Sequence, residues 1–310
     1  MHIVFCTDNN YVMPCGITII SLLENNKKSN IDIHILGLDL NNQSKKDLIS
    51  ISDKYSLARI KIHNITKDSL QKYNFPINKG SYINITTYLR FFIADLLPKL
   101  DKIIYLDCDL LVLNDISKFW NIDIDNCSVA GVIDAPAFDK NTYRLLKYDN
   151  TYSYINAGVL LINLKYWREH DIHRNLLEYL KDNYNNIQRG DQDIINGTLY
   201  KSIKTIPLRY NMHNFFFHRN SNAHQFQTEM IEARKSPAII HFTFSMKPWL
   251  KGCIHPFAKD YIKYKNLTQW KDTPLTWGTL DFKRKLRYYK RILFDKLRLK
   301  KSSYLKKQEF

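Results

Sequence analysis

Asp107 and Asp109 are the residues whose type and spacing most suggest chemistry. They lie in the stretch Ile103-Ile104-Tyr105-Leu106-Asp107-Cys108-Asp109-Leu110-Leu111-Val112-Leu113. The four residues before Asp107 have the length and composition of a buried strand, and apolar residues resume at Leu110. Two carboxylates two residues apart point the same way if the backbone stays extended. Bare carboxylates at the end of a buried strand are costly unless a positive group meets them. A hard divalent cation is one such group, and an acidic turn open to water is the plainer alternative.

Other candidates lie farther along. Arg90 sits among Tyr88, Leu89, Phe91 and Phe92, where it either snorkels to water or aims at an anion. Asp191 and Asp193 begin a helical stretch, where capping and dipole compensation are the ordinary use of a carboxylate. His241 ends a late apolar run and Lys247 precedes a proline. Each is unremarkable alone, but an acidic metal site needs completing and an anion needs neutralising.

These residues need elements to hold them. Residues 2–6 read as a buried strand ending in the polar turn 7–11. Pro14 suits the start of a helix that continues through Ile17, Ile20 and Leu23. Residues 31–36 and 58–62 read as strands, with an amphipathic helix over 45–55 between them. Further helices are predicted over 86–97, stopping at Pro98, over 166–184, and over 194–200. Strands are predicted over 129–133, within 154–164, where small polar residues lead into a mostly apolar run, and over 238–243. Alternating strands and helices argue for an α/β fold with a mostly parallel sheet. In such sheets ligands sit beyond the carboxyl ends of strands, where Asp8, Asn10, Tyr11, Asp107 and Asp109 lie. No glycine-rich phosphate loop follows the first strand, which disfavours dinucleotide-binding and P-loop readings.

Among 310 residues, 46 Lys and Arg against 30 Asp and Glu give a net charge of +16. Such an excess suggests an anionic partner. Between Lys283 and Lys307 twelve basic residues face one acid, Asp295, a net +11. Leu286, Tyr289, Leu293 and Leu297 fall near one helical face there. A basic amphipathic helix with aromatics suits an anionic membrane surface, and its position in the tail disfavours a nucleic-acid partner. Five scattered cysteines argue against a disulfide framework and a structural zinc site. With no basic leader and no apolar window of spanning length, a reducing cytoplasmic location is expected.

Taken together and in order, the motifs resemble glycosyltransferase family 8. They are residues 3–11, Thr86-Thr87-Tyr88-Leu89-Arg90, Asp107-Cys108-Asp109, residues 156–164, Asp191-Gln192-Asp193, and His241-Phe242-Thr243 with Lys247-Pro248-Trp249. The nearest likeness is to bacterial lipopolysaccharide and lipooligosaccharide galactosyl- and glucosyltransferases. The resemblance implies a GT-A type nucleotide-sugar-binding fold over residues 1–265, with a Rossmann-like, mostly parallel sheet flanked by helices. A basic helical tail over 266–310 would attach it peripherally to the inner face of the cytoplasmic membrane.

The implied reaction is retaining transfer of galactose or glucose from a UDP-sugar to a glycan or glycolipid acceptor. The implied metal ligands are Asp107, Asp109 and His241, with Mn2+ as cofactor and Mg2+ as the second choice. Asp8, Asn10 and Tyr11 would hold uridine and ribose. Arg90, Cys108, Asp134, Asn156, Ala157, Asp191 and Gln192 complete the donor-binding set, with Lys247 on the phosphates. Asp191 would bind sugar hydroxyls and Gln192 would lie beside the anomeric carbon. The family usually has glycine three residues after the metal-binding histidine. Phe244 stands there, adding bulk and lacking glycine's backbone freedom. That departure favours, as the alternative, a catalytically altered relative that binds or hydrolyses UDP-sugars.

Overall fold

The structure, a computed structural model, describes residues 1–73, 75, 85–219, 221, 223–278, 282–297 and 302–310. Seven strands form the main sheet: β1 (His2–Asp8), β2 (Ile31–Leu38), β3 (Ala58–Ile65), β4 (Lys102–Leu106), β6 (Val129–Ile133), β7 (Ile155–Asn163) and β8 (Ile203–Thr205). Their order is β3-β2-β1-β4-β7-β6-β8. Only β7 runs antiparallel to its neighbours, so the mostly parallel α/β sheet expected from the alternating pattern is what forms. A second sheet joins β5 (Leu110–Val112), β10 (Ile239–His241) and β9 (Met212–His213).

The central strands β1, β4, β6 and β7 are largely apolar on both faces because both are covered, whereas β3 exposes Arg59, Lys61 and Asn64. On one side, helix Val12–Asn25 and the small sheet pack against Ile3, Phe5, Ile33 and Ile104. On the other, helices over 85–96 and 164–199 cover Val4, Leu36, Tyr105 and Leu160. Pro14 falls in the first turn of its helix, where its missing N–H breaks no bond.

Several local expectations are corrected. The segment read as one helix over 86–97 is a 3-10 helix, Ile85–Phe92, followed by the α-helix Ile93–Leu96. The tighter winding aligns positions i and i+3, and Arg90 Nε donates to the Thr87 carbonyl at 2.9 Å. The long helix expected over 166–184 is two, Leu164–Glu169 and Ile172–Asn183. Asp171 separates them in the left-handed region (φ 48°), which aspartate tolerates better than most residues. The helix expected over 45–55 is Asn42–Ile49 with a 3-10 extension, Ser50–Lys54, and Asn41 caps it through Ser44 N–H.

At the C-terminal side, Trp270 packs against the body and the helix Phe282–Lys296 forms as expected. Leu286, Tyr289, Leu293 and Leu297 are 44–57 % exposed. Residues 302–310 return to the body, where Tyr304 is buried. Arg298, Leu299, Lys300 and Lys301 of the basic segment lie outside the described residues. Among the described residues, no helix is long and apolar enough to cross a membrane.

Candidate active site

Asp107 and Asp109 stand where the chain passes from one sheet to the other. Asp107 continues the pairing of β4 with β7, its N–H donating to the Gly158 carbonyl at 2.8 Å. Asp109 continues the pairing of β5 with β10, its carbonyl accepting from Phe242 N–H at 3.0 Å. His241 lies opposite Leu110 in that register, which brings its ring beside Asp109. His241 Nε2 is 3.2 Å from Asp109 Oδ1 and 3.8 Å from Asp107 Oδ2. One ligand atom from each residue lies within 4.8 Å of the others.

The donor set and its supports fit a divalent cation. The second ring nitrogen, His241 Nδ1, faces Asn211 Oδ1 at 3.1 Å. An imidazole that gives its Nδ1 proton to that oxygen presents a bare Nε2 to the carboxylates. Asp107 Oδ1 accepts from Arg90 Nη2 and from the Tyr105 hydroxyl, each at 2.8 Å. Asp109 Oδ2 accepts from Lys247 Nζ at 2.6 Å. Each carboxylate thus has one oxygen held from behind and one turned toward the histidine. Burial alone would raise the Asp109 pKa, but Lys247 and His241 outweigh it and hold the carboxyl below its ordinary range.

Arg90 is 2 % exposed and serves several acceptors. Nη1 reaches Asp191 Oδ2 at 2.9 Å and the Ala157 carbonyl at 2.5 Å, and the guanidinium lies 4.2 Å from the Tyr105 ring centroid. Burial opposes its charge, but Asp191, Tyr105 and Asp107 keep it protonated. The two partners shift unequally. Asp191 is pushed up to about 6, because its burial outweighs the pairing with Arg90 and Asp107 adds repulsion. One guanidinium divided between two carboxylates under-compensates the more buried one.

A bulge in β7 supplies the next group. Gly131 pairs with Leu160 and Ile133 with Ile155, so residues 156–159 face Val132 alone. Bulges re-aim side chains and often border active sites. Here the Asn156 amide donates to Asp134 Oδ2 at 2.8 Å and to Gln192 Oε1 at 3.1 Å. Gln192 Oε1 also accepts from Ala157 N–H at 3.0 Å, and its Nε2 donates to Asp134 Oδ2 at 3.0 Å and to Tyr154 at 3.1 Å. Burial opposes the ionised form of Asp134, but His213, Asn156, the Ala135 N–H and Gln192 lower its pKa. Gly158 admits no side chain: a Cβ there would collide with the His241 ring and Asp107 Oδ2.

These groups border one cavity of about 940 Å³. All the candidate site residues line it except Asn10 and Asp193. Asn10 is exposed on a 3-10 turn, and its N–H donates to Asp8 Oδ1 at 2.9 Å. Asp8 also receives Tyr11 N–H at 3.2 Å, and Tyr11 stands edge-on to Trp249. Cys108 lines the cavity, but its thiol donates to the Cys6 carbonyl at 3.2 Å. Asp193 ties down the preceding loop by accepting from Gln188 and Arg189 N–H, each at 2.8 Å. Phe244, 49 % exposed, sits on the cavity wall and is not among the residues with positive φ, so the missing glycine imposes no left-handed strain. Asn211, His213 and Tyr154 were not anticipated from the sequence. They sit at positions without a local motif and meet the site only through the fold.

The cavity lies beyond the ends of β1 and β4, and two acidic groups and a histidine line it. The chain matches the family model for glycosyl transferase family 8 over residues 2–253, and it belongs to that family. It is 28% identical over 277 residues to general stress protein A of Bacillus subtilis (strain 168), covering 87% of this chain and 94% of the relative. It is also 28% identical over 275 residues to lipopolysaccharide 1,2-glucosyltransferase of Escherichia coli (strain K12), covering 88% and 79%. Its fold is similar to the crystal structure of galactosyltransferase LgtC with donor and acceptor sugar analogues. The TM-score is 0.78 at 23% identity, covering 93% of this chain and 100% of that one.

Proposed function

We propose that the protein transfers galactose or glucose, with retention, from a UDP-sugar to a lipopolysaccharide or lipooligosaccharide core or another cell-surface glycan. The observation that carries the proposal is the Asp107, Asp109 and His241 cluster on the floor of a cavity in a family 8 chain. Those three residues would hold Mn2+, or Mg2+ less readily given the imidazole. The cation would act as a Lewis acid on the diphosphate of the leaving UDP.

The chain's own groups supply the rest. Lys247 pairs with Asp109 on the cavity wall, where its charge would also serve a phosphate oxygen. Asp8 and Tyr11 border the end of the cavity assigned to uridine and ribose. Arg90 holds Asp107 and Asp191 in fixed relation, and the Asp191 carboxylate would bind hydroxyls of the donor sugar. Gln192 is fixed by its amide partners, so its side chain is rigid where the anomeric carbon is expected. An amide is a poor nucleophile, which favours a front-face route in which the leaving phosphate steers the acceptor hydroxyl. The helix Phe282–Lys296 presents exposed apolar side chains on a basic background, which supports peripheral attachment to the inner leaflet of the cytoplasmic membrane.

A donor screen reading UDP release with Mn2+, with and without acceptor glycans, tests the reading. UDP-galactose or UDP-glucose turnover that rises with a glycan acceptor supports transfer. Equal turnover without acceptor would make the protein a sugar-nucleotide hydrolase, and no turnover with any UDP-sugar would refute the enzyme reading.

A further inference from the structure

The family match ends at residue 253, yet the end of the chain returns to the body at Asn214, the residue that meets Thr243. Tyr304 is 8 % exposed, bridges His218, and packs against the His255 ring at 5.6 Å. Its hydroxyl accepts from Asn214 Nδ2 at 2.6 Å. The same amide turns its oxygen the other way. Asn214 Oδ1 accepts from Thr243 N–H at 2.8 Å, with the Thr243 hydroxyl at 3.4 Å. Thr243 follows the histidine by two residues and precedes Lys247 by four. Farther out, Arg219 Nε donates to the Ser302 carbonyl at 2.8 Å, Lys307 pairs with Asp260, and Phe310 packs near Phe257.

An amide between two partners is oriented by both. Asn214 is 2 % exposed, so an NH2 group left without its acceptor would be costly and would leave the amide oriented from the Thr243 side alone. An amide oriented from one side only holds Thr243 N–H less firmly. We propose that Tyr304 and Asn214 are positioning residues, through which the end of the chain holds the 241–247 loop in the shape that the metal and diphosphate require. The ligand side of this inference rests on the function proposed above; the loop-holding side does not.

The test uses the full chain with Tyr304→Phe, Asn214→Ala and the double substitution. Two readouts are hydrogen exchange at the Thr243 amide and calorimetric binding of UDP with Mn2+. Tyr304→Phe keeps the ring in its pocket, so the melting temperature should fall by no more than a few degrees. Exchange at Thr243 should accelerate about fivefold or more, the scale of one hydrogen bond. Mn2+-dependent UDP binding should weaken by a similar factor. The double variant should be no worse than Asn214→Ala. Unchanged Thr243 exchange in Tyr304→Phe would overturn the inference, as would additive losses in the double variant. So would an equal rise in exchange across β5 and β10, which would mark general loosening. If the parent binds no UDP with Mn2+, the functional reading falls while the exchange result still decides whether the loop is held.

Discussion

At the scale of single residues, the site is built by sharing. Arg90 divides one charge between Asp107 and Asp191, and the cost falls on Asp191. A carboxyl whose folded pKa is about 6, against an ordinary 3.8, stabilises the fold fully below 3.8 and loses that contribution as pH rises through 6. The loss is on the order of 3 kcal/mol, taking 1.36 kcal/mol per pKa unit. We therefore expect Asp191→Asn, in the metal-free protein, to be more stable than the parent at pH 8 and to lose that advantage near pH 4. Denaturant titrations at the two pH values check this, and the same difference at both would contradict it. Gln192→Ala should lower turnover at least about tenfold more than it weakens UDP binding, because Gln192 touches Asp134, Tyr154 and the β7 bulge and none of the metal-ligating groups. Parallel losses in both constants would move it to nucleotide binding. The sequence made the acidic pair legible, because its spacing is local. It left Asn211 and Tyr154 hidden, because their partners His241 and Asp193 lie 30 and 39 residues away.

At the scale of elements, two devices bring the ligands together. The register of β10 against β5 sets His241 next to Asp109, and the β7 bulge brings Gly158 up to His241 and Asp107. Neither is readable from hydrophobic pattern, since an apolar run does not disclose which strand it will pair with. Gly158→Ala should keep the fold yet weaken metal-dependent UDP binding by at least about tenfold, because the added methyl would displace the histidine ring. Binding within twofold of the parent, measured by calorimetry, would show that the ring can yield. The tail helix was legible from its charge and its 3.6-residue spacing; its two attachments were not. Trp277 meets Tyr289 midway along the helix, and residues 302–310 hold to the body beyond it. The membrane attachment proposed for it is thus better tested by substitution within the helix than by truncation. Leu286→Ser with Leu293→Ser should lower binding to anionic vesicles at least about tenfold and leave UDP binding unchanged. Sedimentation with vesicles checks this, and undiminished binding would place the membrane contact elsewhere.

At the scale of the molecule, a covered parallel sheet and a small second sheet meet at one edge of the cavity, with the acidic pair at the crossing. The alternation of strands and helices made the large sheet legible. The small sheet was not, because β5, β9 and β10 are two or three residues each and far apart in sequence. The central claim is that Asp107, Asp109 and His241 hold a cation that carries the donor's diphosphate. Calorimetric titration of UDP, with Mn2+ and after chelation, into the parent and Asp107→Asn tests it directly. The account predicts that Mn2+ tightens UDP binding to the parent at least about tenfold and has little effect on Asp107→Asn. UDP binding to the parent that is equally tight with and without the cation would contradict it.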